Sequence, residues 1–255
     1  MHLAATLTRG VRTNMFSKST AFYDALYSFK DYAAEAARLR ALIQERTHAA
    51  TLLDVACGTG KHLELLRQWY AVEGLDLDPD LLEIARHRLP DVPLNHGDMT
   101  DFDLGRQFDA VVCLFSSIGY AGTANLLRRA LACMARHVAP GGALVVEPWF
   151  TPEAWHRGRP HALLVDQPDL KICRMNVSNA IDGPDGPISV LDFHYLVATP
   201  IGVEHFTEHH ELALFTDAQY RAAFAAAGLR VEHDPDGLID RGLYIARHDP
   251  PPRPK

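Results

Sequence analysis

Two carboxylates and two glycines have the types and spacing to hold a nucleotide-like ligand. Residues 52–60 read Leu-Leu-Asp-Val-Ala-Cys-Gly-Thr-Gly, which places Asp54 in a short apolar run and Gly58 and Gly60 in the turn after it. Glycine has no Cβ, so both can take positive φ and let a ligand approach the backbone. Residues 61–66, Lys-His-Leu-Glu-Leu-Leu, open a helix whose free N–H groups and positive dipole end point into that turn. A second acid, Asp76, closes the run Ala71-Val72-Glu73-Gly74-Leu75 and stands 22 residues after Asp54. That is close to the spacing of about 20 at which an acid reaches a ribose hydroxyl pair. Leu63 occupies the place of the third glycine of a dinucleotide fingerprint, and there is no G-x-x-x-x-G-K-[ST] run. A nicotinamide dehydrogenase and a P-loop protein are therefore disfavoured.

To position these groups, strands must alternate with helices. Strand 51–55 leads to helix 60–69. Strand 71–75 leads to helix 79–88, with Asp78 as N-cap and Pro79 as first helical residue. A short strand at 93–96 leads to Gly97-Asp98-Met99. Strand 108–114 is a continuous apolar run, as expected when helices cover both faces. Helix 123–137 follows, then a turn at 139–142 (Ala-Pro-Gly-Gly) and strand 143–147, which ends in Glu147. This alternation predicts an α/β fold, a parallel sheet with helices on both faces. Ahead of it, residues 20–28 and 33–45 carry apolar residues at helical spacing.

After Pro148 the period changes to two. Residues 171–179, 188–198 and 202–215 read as three strands of a small antiparallel insert. Helix 217–227, capped by Thr216 and stopped by Gly228, and strands 229–234 and 242–247 complete the sheet. The expected organisation is a loose stretch 1–14, a core 15–150 with an N-terminal helical lid, the insert 151–215, a return to the core 216–248, and a mobile tail 249–255.

Composition narrows the class. The 255 residues are 47% hydrophobic and 22% charged, ordinary for a soluble globular protein. A net charge of −7 disfavours a nucleic-acid polymer as partner. Four scattered cysteines without C-x-x-C favour free thiols in a reducing compartment. No apolar run is long enough to cross a bilayer, and Arg9 and Arg12 have no apolar core behind them, so a cytoplasmic protein without membrane contact is expected. His205 and His209 share a strand face but lie about four rises, roughly 13 Å, apart, too far for one ion, so no metal is expected.

Asp54-Val55-Ala56-Cys57-Gly58-Thr59-Gly60 resembles motif I of the class I methyltransferases that use S-adenosylmethionine (SAM), a Rossmann-like fold. The similarity extends further, through Lys30-Asp31-Tyr32, His96-Gly97-Asp98-Met99, Phe115-Ser116-Ser117-Ile118-Gly119-Tyr120, Val146-Glu147-Pro148-Trp149 and Arg241-Gly242-Leu243. In this order the segments resemble the nucleotide-sugar N,N-dimethyltransferases of macrolide biosynthesis, which finish desosamine and mycaminose.

The resemblance implies SAM as cofactor and the amine of a TDP-linked amino-deoxysugar as acceptor. Gly58 and Gly60 would approach the methionine part, with Asp54 beneath the turn orienting its ammonium. Asp76 would accept from both ribose hydroxyls, and Asp98 from the adenine amino group with Met99 on the ring. Tyr23, Ala56, Leu77 and Phe115 are the remaining expected cofactor contacts. Tyr120 and Glu147, both expected to face the crevice, are the catalytic candidates, Tyr120 as the group that positions the amine. Arg241, Arg174 and Lys171 are the cations offered to the diphosphate, Arg241 first because Arg-Gly-Leu matches the family pattern, and Trp149 a stacking face for a base or sugar. Tyr32, Ser117 and Phe16 complete the substrate set; Phe16 stands where family members carry tyrosine, so a hydroxyl contact is missing there. The resemblance also implies a homodimer.

Methyl transfer from a sulfonium is an in-line displacement with a good leaving group, so most of the acceleration can come from holding the amine in line. The amine must also lose a proton. The alternatives are a SAM methyltransferase of another small molecule, such as an amino acid or a natural-product hydroxyl, and a SAM-binding protein without catalysis.

Overall fold

The computed structural model describes residues 18–248. Phe16 and the terminal stretches 1–14 and 249–255 lie outside the described residues. The first half forms β1 (Thr51–Val55), β2 (Ala71–Asp76), β3 (Leu94–His96), β4 (Phe108–Cys113) and β5 (Val138–Val146). Then come β6 (Pro160–Gln167), β7 (Leu170–Val177), β8 (Asn179–Gly183), β9 (Gly186–Thr199) and β10 (Gly202–Ala213). The chain returns with β11 (Leu229–Asp234) and β12 (Leu243–His248). The helices are α1 (Tyr23–Leu26), α2 (Tyr32–Gln44), α3 (Lys61–Leu66), α4 (Pro79–Arg88), α5 (Ala124–Arg136) and α6 (Asp217–Ala226).

The main sheet runs β11-β12-β5-β4-β1-β2-β3, with β12 antiparallel to β5 and to β11. Strand order reverses between β1 and β4, the point where an open α/β sheet leaves a crevice at the carboxyl ends of its strands. Alternation along each strand divides the core in two. Leu53, Val55, Val111, Cys113, Leu144, Val146 and Tyr244 pack under α5 and α6. Leu52, Ala110, Val112, Val145, Leu243 and Ile245 pack under α2, α3 and α4. Helices thus cover both faces, as the apolar runs predicted. Residues 139–142 do not form a free turn: they bulge within β5, whose pairing jumps from Phe108↔Val138 to Ala110↔Ala143.

The insert has five strands rather than the predicted three, in the order β10-β9-β7-β6 with β8 on β9. β6 lacks a legible period because it is an edge strand with nearly every side chain exposed. β8 is a five-residue hairpin arm on β9. β9 is 14 residues long, so residues 186–190 pair with β8 and 194–198 with β7. One face of this sheet buries Val165, Ile172, Tyr195, Val197 and Phe206 against Leu26 of α1. The opposite face leaves Leu164, Met175, Leu196 and Val203 exposed.

Candidate active site

The chain turns sharply at both switch-point strands. Ala56 after β1 and Phe115 and Ser116 after β4 take positive φ, 63°, 51° and 62°. Non-glycine residues rarely adopt this conformation, and it concentrates where a site over-determines the backbone. It turns the chain outward at the head of the crevice.

Gly58 (φ 56°) fits a close ligand: a Cβ there would meet nothing within 4 Å. Gly60 behaves differently. It caps α3 at φ 76°, and a Cβ on it would sit 3.1 Å from Leu89 Cδ1 and 3.4 Å from Ala85 Cβ. A side chain on Gly60 would therefore run into α4, so packing requires glycine there.

Asp54 is buried, and its Oδ1 has no hydrogen-bond partner among the described residues. Burial pushes its carboxyl well above the usual range, and the nearby Asp76 charge adds to this. A buried acceptor without a donor calls for a ligand group. Asp54, Gly58, Thr59, Tyr32 and His62 line a small hollow of about 30 Å³. Its acid and the open Gly58 suit a small cationic group such as an ammonium. Tyr32 lines this hollow, with its ring 5.0 Å from that of His62.

This hollow shares Tyr23, Ala56, Gly58, Phe115 and Ser117 with a cavity of about 530 Å³. Asp76, Leu77, Asp98 and Met99 line that cavity at the end of β2 and beyond β3. The Asp76 carboxylate accepts from Gly58 N–H at 2.7 Å and Asp78 N–H at 2.8 Å. Burial outweighs these bonds and leaves its pKa raised. Asp98 accepts from Thr100 N–H at 2.8 Å.

The same cavity continues to Ser117, Tyr120, Trp149, Arg174 and Arg241, and to Leu191 and Phe193 of the insert. Tyr120 lies in a 3₁₀ helix (Ser117–Ala121) after β4, not at the strand end. Its hydroxyl is 3.0 Å from His210 Nδ1, and burial raises its pKa, so it stays a phenol. The Arg241 guanidinium lies 4.9 Å from the Trp149 ring centre and donates to Ser116 Oγ at 2.9 Å. Arg174 donates to the Tyr27 hydroxyl at 3.2 Å and lies 4.4 Å over Phe193.

Glu147 does not face the crevice. It is wholly buried and absent from the cavity wall. Its Oε2 accepts the Phe115 N–H at 2.6 Å, so it holds the turn after β4 in shape. Burial raises its pKa, opposed by the charge of Arg241. The carboxylate is turned into the packed layer, where the Phe115 N–H holds it.

Comparison with known proteins agrees with this geometry. A family model described as a methyltransferase domain matches residues 52–142. The chain is 46% identical over 228 residues, 88% of itself and 94% of the relative, to the dTDP-3-amino-3,4,6-trideoxy-alpha-D-glucopyranose N,N-dimethyltransferase of Streptomyces venezuelae. It is 42% identical over 227 residues, 88% of itself and 90% of the relative, to the dTDP-4-amino-2,3,4,6-tetradeoxy-D-glucose N,N-dimethyltransferase of Saccharopolyspora spinosa. It belongs to the dTDP-amino-sugar N,N-dimethyltransferase family. The structure of SAM-bound CalS10, an amino pentose methyltransferase from Micromonospora echinaspora involved in calicheamicin biosynthesis, matches it with a TM-score of 0.81 at 39% identity, covering 94% of this chain and 100% of that one. The protein is a SAM-dependent methyltransferase.

Several residues of this methyltransferase's cavity escaped sequence reasoning. Tyr27, Phe193, His209 and Glu211 line it. For Phe193, His209 and Glu211 the signal was the period of β9 and β10, legible only once the pairing is known. His209 bonds Asp192 at 2.6 Å and Glu211 at 3.1 Å, and among the described residues no group of three or more His, Cys, Asp or Glu is placed to hold a metal.

Proposed function

We propose that this methyltransferase moves methyl groups from SAM to the amine of a TDP-linked amino-deoxysugar, twice in succession, in antibiotic biosynthesis. The observation that carries the reading is one continuous cavity with acids at one end and cations at the other. Asp76 and Asp98 stand where hydroxyl and amino donors of adenosine would be recognised, and Asp54 where an ammonium would be. Arg241 and Arg174 face the part that must accept a diphosphate, and aromatic rings beside them offer a face to base or sugar. Tyr120 lies on the same wall as Phe115 and Ser117, which are shared with the cofactor hollow, and so is suited to orient the amine.

SAM supplies an electrophilic methyl group on a sulfonium. The protein's part is to hold the acceptor nitrogen in line, to exclude water with α1 and the aromatic wall, and to accept the amine's proton.

Two copies are expected to pair through the outer face of the insert, where Leu164, Met175, Leu196 and Val203 are each more than half exposed. A contiguous apolar patch of this kind marks an interaction surface. All four cysteines are free, which suits a reducing cytoplasm, and no helix among the described residues is long and apolar enough to cross a membrane.

The test is mass spectrometry of sugars after incubation with SAM, using a TDP-3-amino-3,6-dideoxyhexose and the same sugar without its nucleotide. Gain of one and then two methyl groups on the TDP-linked sugar alone supports the reading. Equal turnover of both sugars moves the acceptor to another class of small molecule.

A further inference from the structure

Behind Tyr120 stands a buried chain of polar groups that methyl positioning alone does not need. Glu208 and His210 lie two residues apart on β10 and share its inner face. Both are buried, and Glu208 Oε2 is 3.8 Å from His210 Nε2. His210 Nδ1 is 3.0 Å from the Tyr120 hydroxyl. Glu208 is itself fixed: it accepts from the N–H groups of Lys18 and Ser19 and, at 2.7 Å, from the Ser19 hydroxyl.

The order of charges sets the tautomer. Burial works to raise the Glu208 pKa, but the nearby His210 ring and the hydrogen bonds from Ser19 and Lys18 hold it at about 2, so the carboxylate stays ionised. An anion beside Nε2 places the imidazole proton there and leaves Nδ1 as an acceptor. Tyr120 then donates its O–H to Nδ1, and its oxygen lone pairs are left for the cavity. An N–H of the acceptor, which arrives as an ammonium, can bond to them.

We propose that His210, held by Glu208, takes up through Tyr120 the proton that the acceptor amine loses before each methyl transfer. This inference rests on the amino-sugar reading above. As the amine's N–H proton moves to the Tyr120 oxygen, the Tyr120 O–H proton moves to His210 Nδ1. The imidazolium so formed faces the Glu208 carboxylate. Rotation about the sugar C–N bond turns the freed nitrogen pair to the methyl group, where it forms the N–CH₃ bond while the C–S bond breaks and its electrons stay on sulfur. The second transfer needs this again, because the first leaves a secondary ammonium. Between transfers His210 returns its proton by the reverse exchange, through Tyr120 into the open cavity.

The groups that face this pair come from every packed element. They are Tyr27 just after α1, Arg174 of β7, Tyr195 of β9 and Glu208 of β10, all of which act on Tyr120. Arg174 opposes the others by favouring a phenolate, while Phe193 closes the apolar side at 5.3 Å from the His210 ring.

The test is the pH dependence of turnover with SAM and a TDP-3-amino-3,6-dideoxyhexose for wild type, His210→Asn, Tyr120→Phe and the double variant. Asn keeps a polar group at the site but cannot take a proton. The relay predicts that His210→Asn leaves SAM affinity and sugar KM within about threefold and lowers kcat about 10²-fold near neutral pH. The loss shrinks as pH rises and bulk water deprotonates the amine. Tyr120→Phe shows the same profile, and the double variant is no slower than the slower single one. A loss independent of pH, a loss confined to KM, or additive losses overturns the relay. Should His210→Asn unfold, Tyr120→Phe alone decides by the same profile. Wild-type turnover with a flat profile in the variants removes the relay only. SAM binding without wild-type turnover removes the amino-sugar reading and the relay with it.

Discussion

The Asp76 carboxylate accepts the Gly58 N–H at 2.7 Å, so the acid that ends β2 holds the glycine turn that follows β1. One side chain shapes the turn and faces the cavity. Asp76→Ala leaves the N–H groups of Gly58 and Asp78 without this acceptor, each worth about 1–3 kcal/mol if buried and unpaired. It is expected to weaken SAM binding by at least about tenfold, roughly 1.4 kcal/mol, and to lower the melting temperature. Asp76→Asn, which keeps one acceptor oxygen, falls between. Calorimetric titration with SAM checks the ranking; unchanged affinity in Asp76→Ala would contradict it.

Gly58 and Gly60 separate binding from stability. Both have positive φ, which costs an L-residue about 1–2 kcal/mol. The added methyl of Gly58→Ala enters ligand space, so SAM affinity falls by more than stability does. In Gly60→Ala the methyl meets Leu89 and Ala85, and overpacking adds about 1–3 kcal/mol of destabilisation. Thermal unfolding with and without SAM reads both effects, and the opposite ranking would show that the turn is misassigned.

Asp54 gives a pH dependence of known sign. Its folded pKa is raised, so the folded state holds a proton that the unfolded state has lost. Stability of the free protein is therefore greatest below the ordinary carboxylate range and falls as pH rises through the raised value. SAM binding runs the other way: its ammonium pairs with the carboxylate, so affinity grows as pH rises through that same value. Asp54→Asn should flatten both curves. A pH-independent SAM affinity in the wild type would argue against the ammonium contact.

The two arginines should act on the nucleotide and not on SAM. Arg241→Ala and Arg174→Ala are each expected to raise KM for the TDP-sugar by about 10–100-fold, the range for a lost charge-assisted hydrogen bond. SAM affinity stays within a few-fold. Equal effects on a nucleotide-free sugar would place the diphosphate elsewhere.

For the outer sheet face, Leu196→Glu or Met175→Glu should convert a dimer to a monomer, read by light scattering coupled to size exclusion. A wild-type monomer at micromolar concentration would remove the proposed pairing.

Much of the core was legible because local signals agreed with the global pattern. β1 spans the predicted residues, Asp78 caps α4 by accepting from Asp80 N–H with Pro79 in its first turn, and Thr216 and Gln219 form a full capping box on α6. What stayed hidden depends on pairing across the chain. Glu147 reads as a crevice acid, yet it is buried with its carboxylate on the Phe115 N–H. Lys171 and Arg174 look equivalent, but three residues on a strand place them on opposite faces, and Lys171 pairs with Asp166 on the outer one. The Glu208–His210–Tyr120 chain spans residues about 90 apart and has no local signature.

The most direct measurement is a crystal structure with S-adenosylhomocysteine and a TDP-3-amino-3,6-dideoxyhexose bound together. The account predicts both in one cavity: adenosine at Asp76 and Asp98, the homocysteine ammonium at Asp54, the diphosphate facing Arg241 and Arg174, and the sugar amine within hydrogen-bond distance of the Tyr120 hydroxyl. A nucleotide outside this cavity, or an amine turned away from Tyr120, would contradict it.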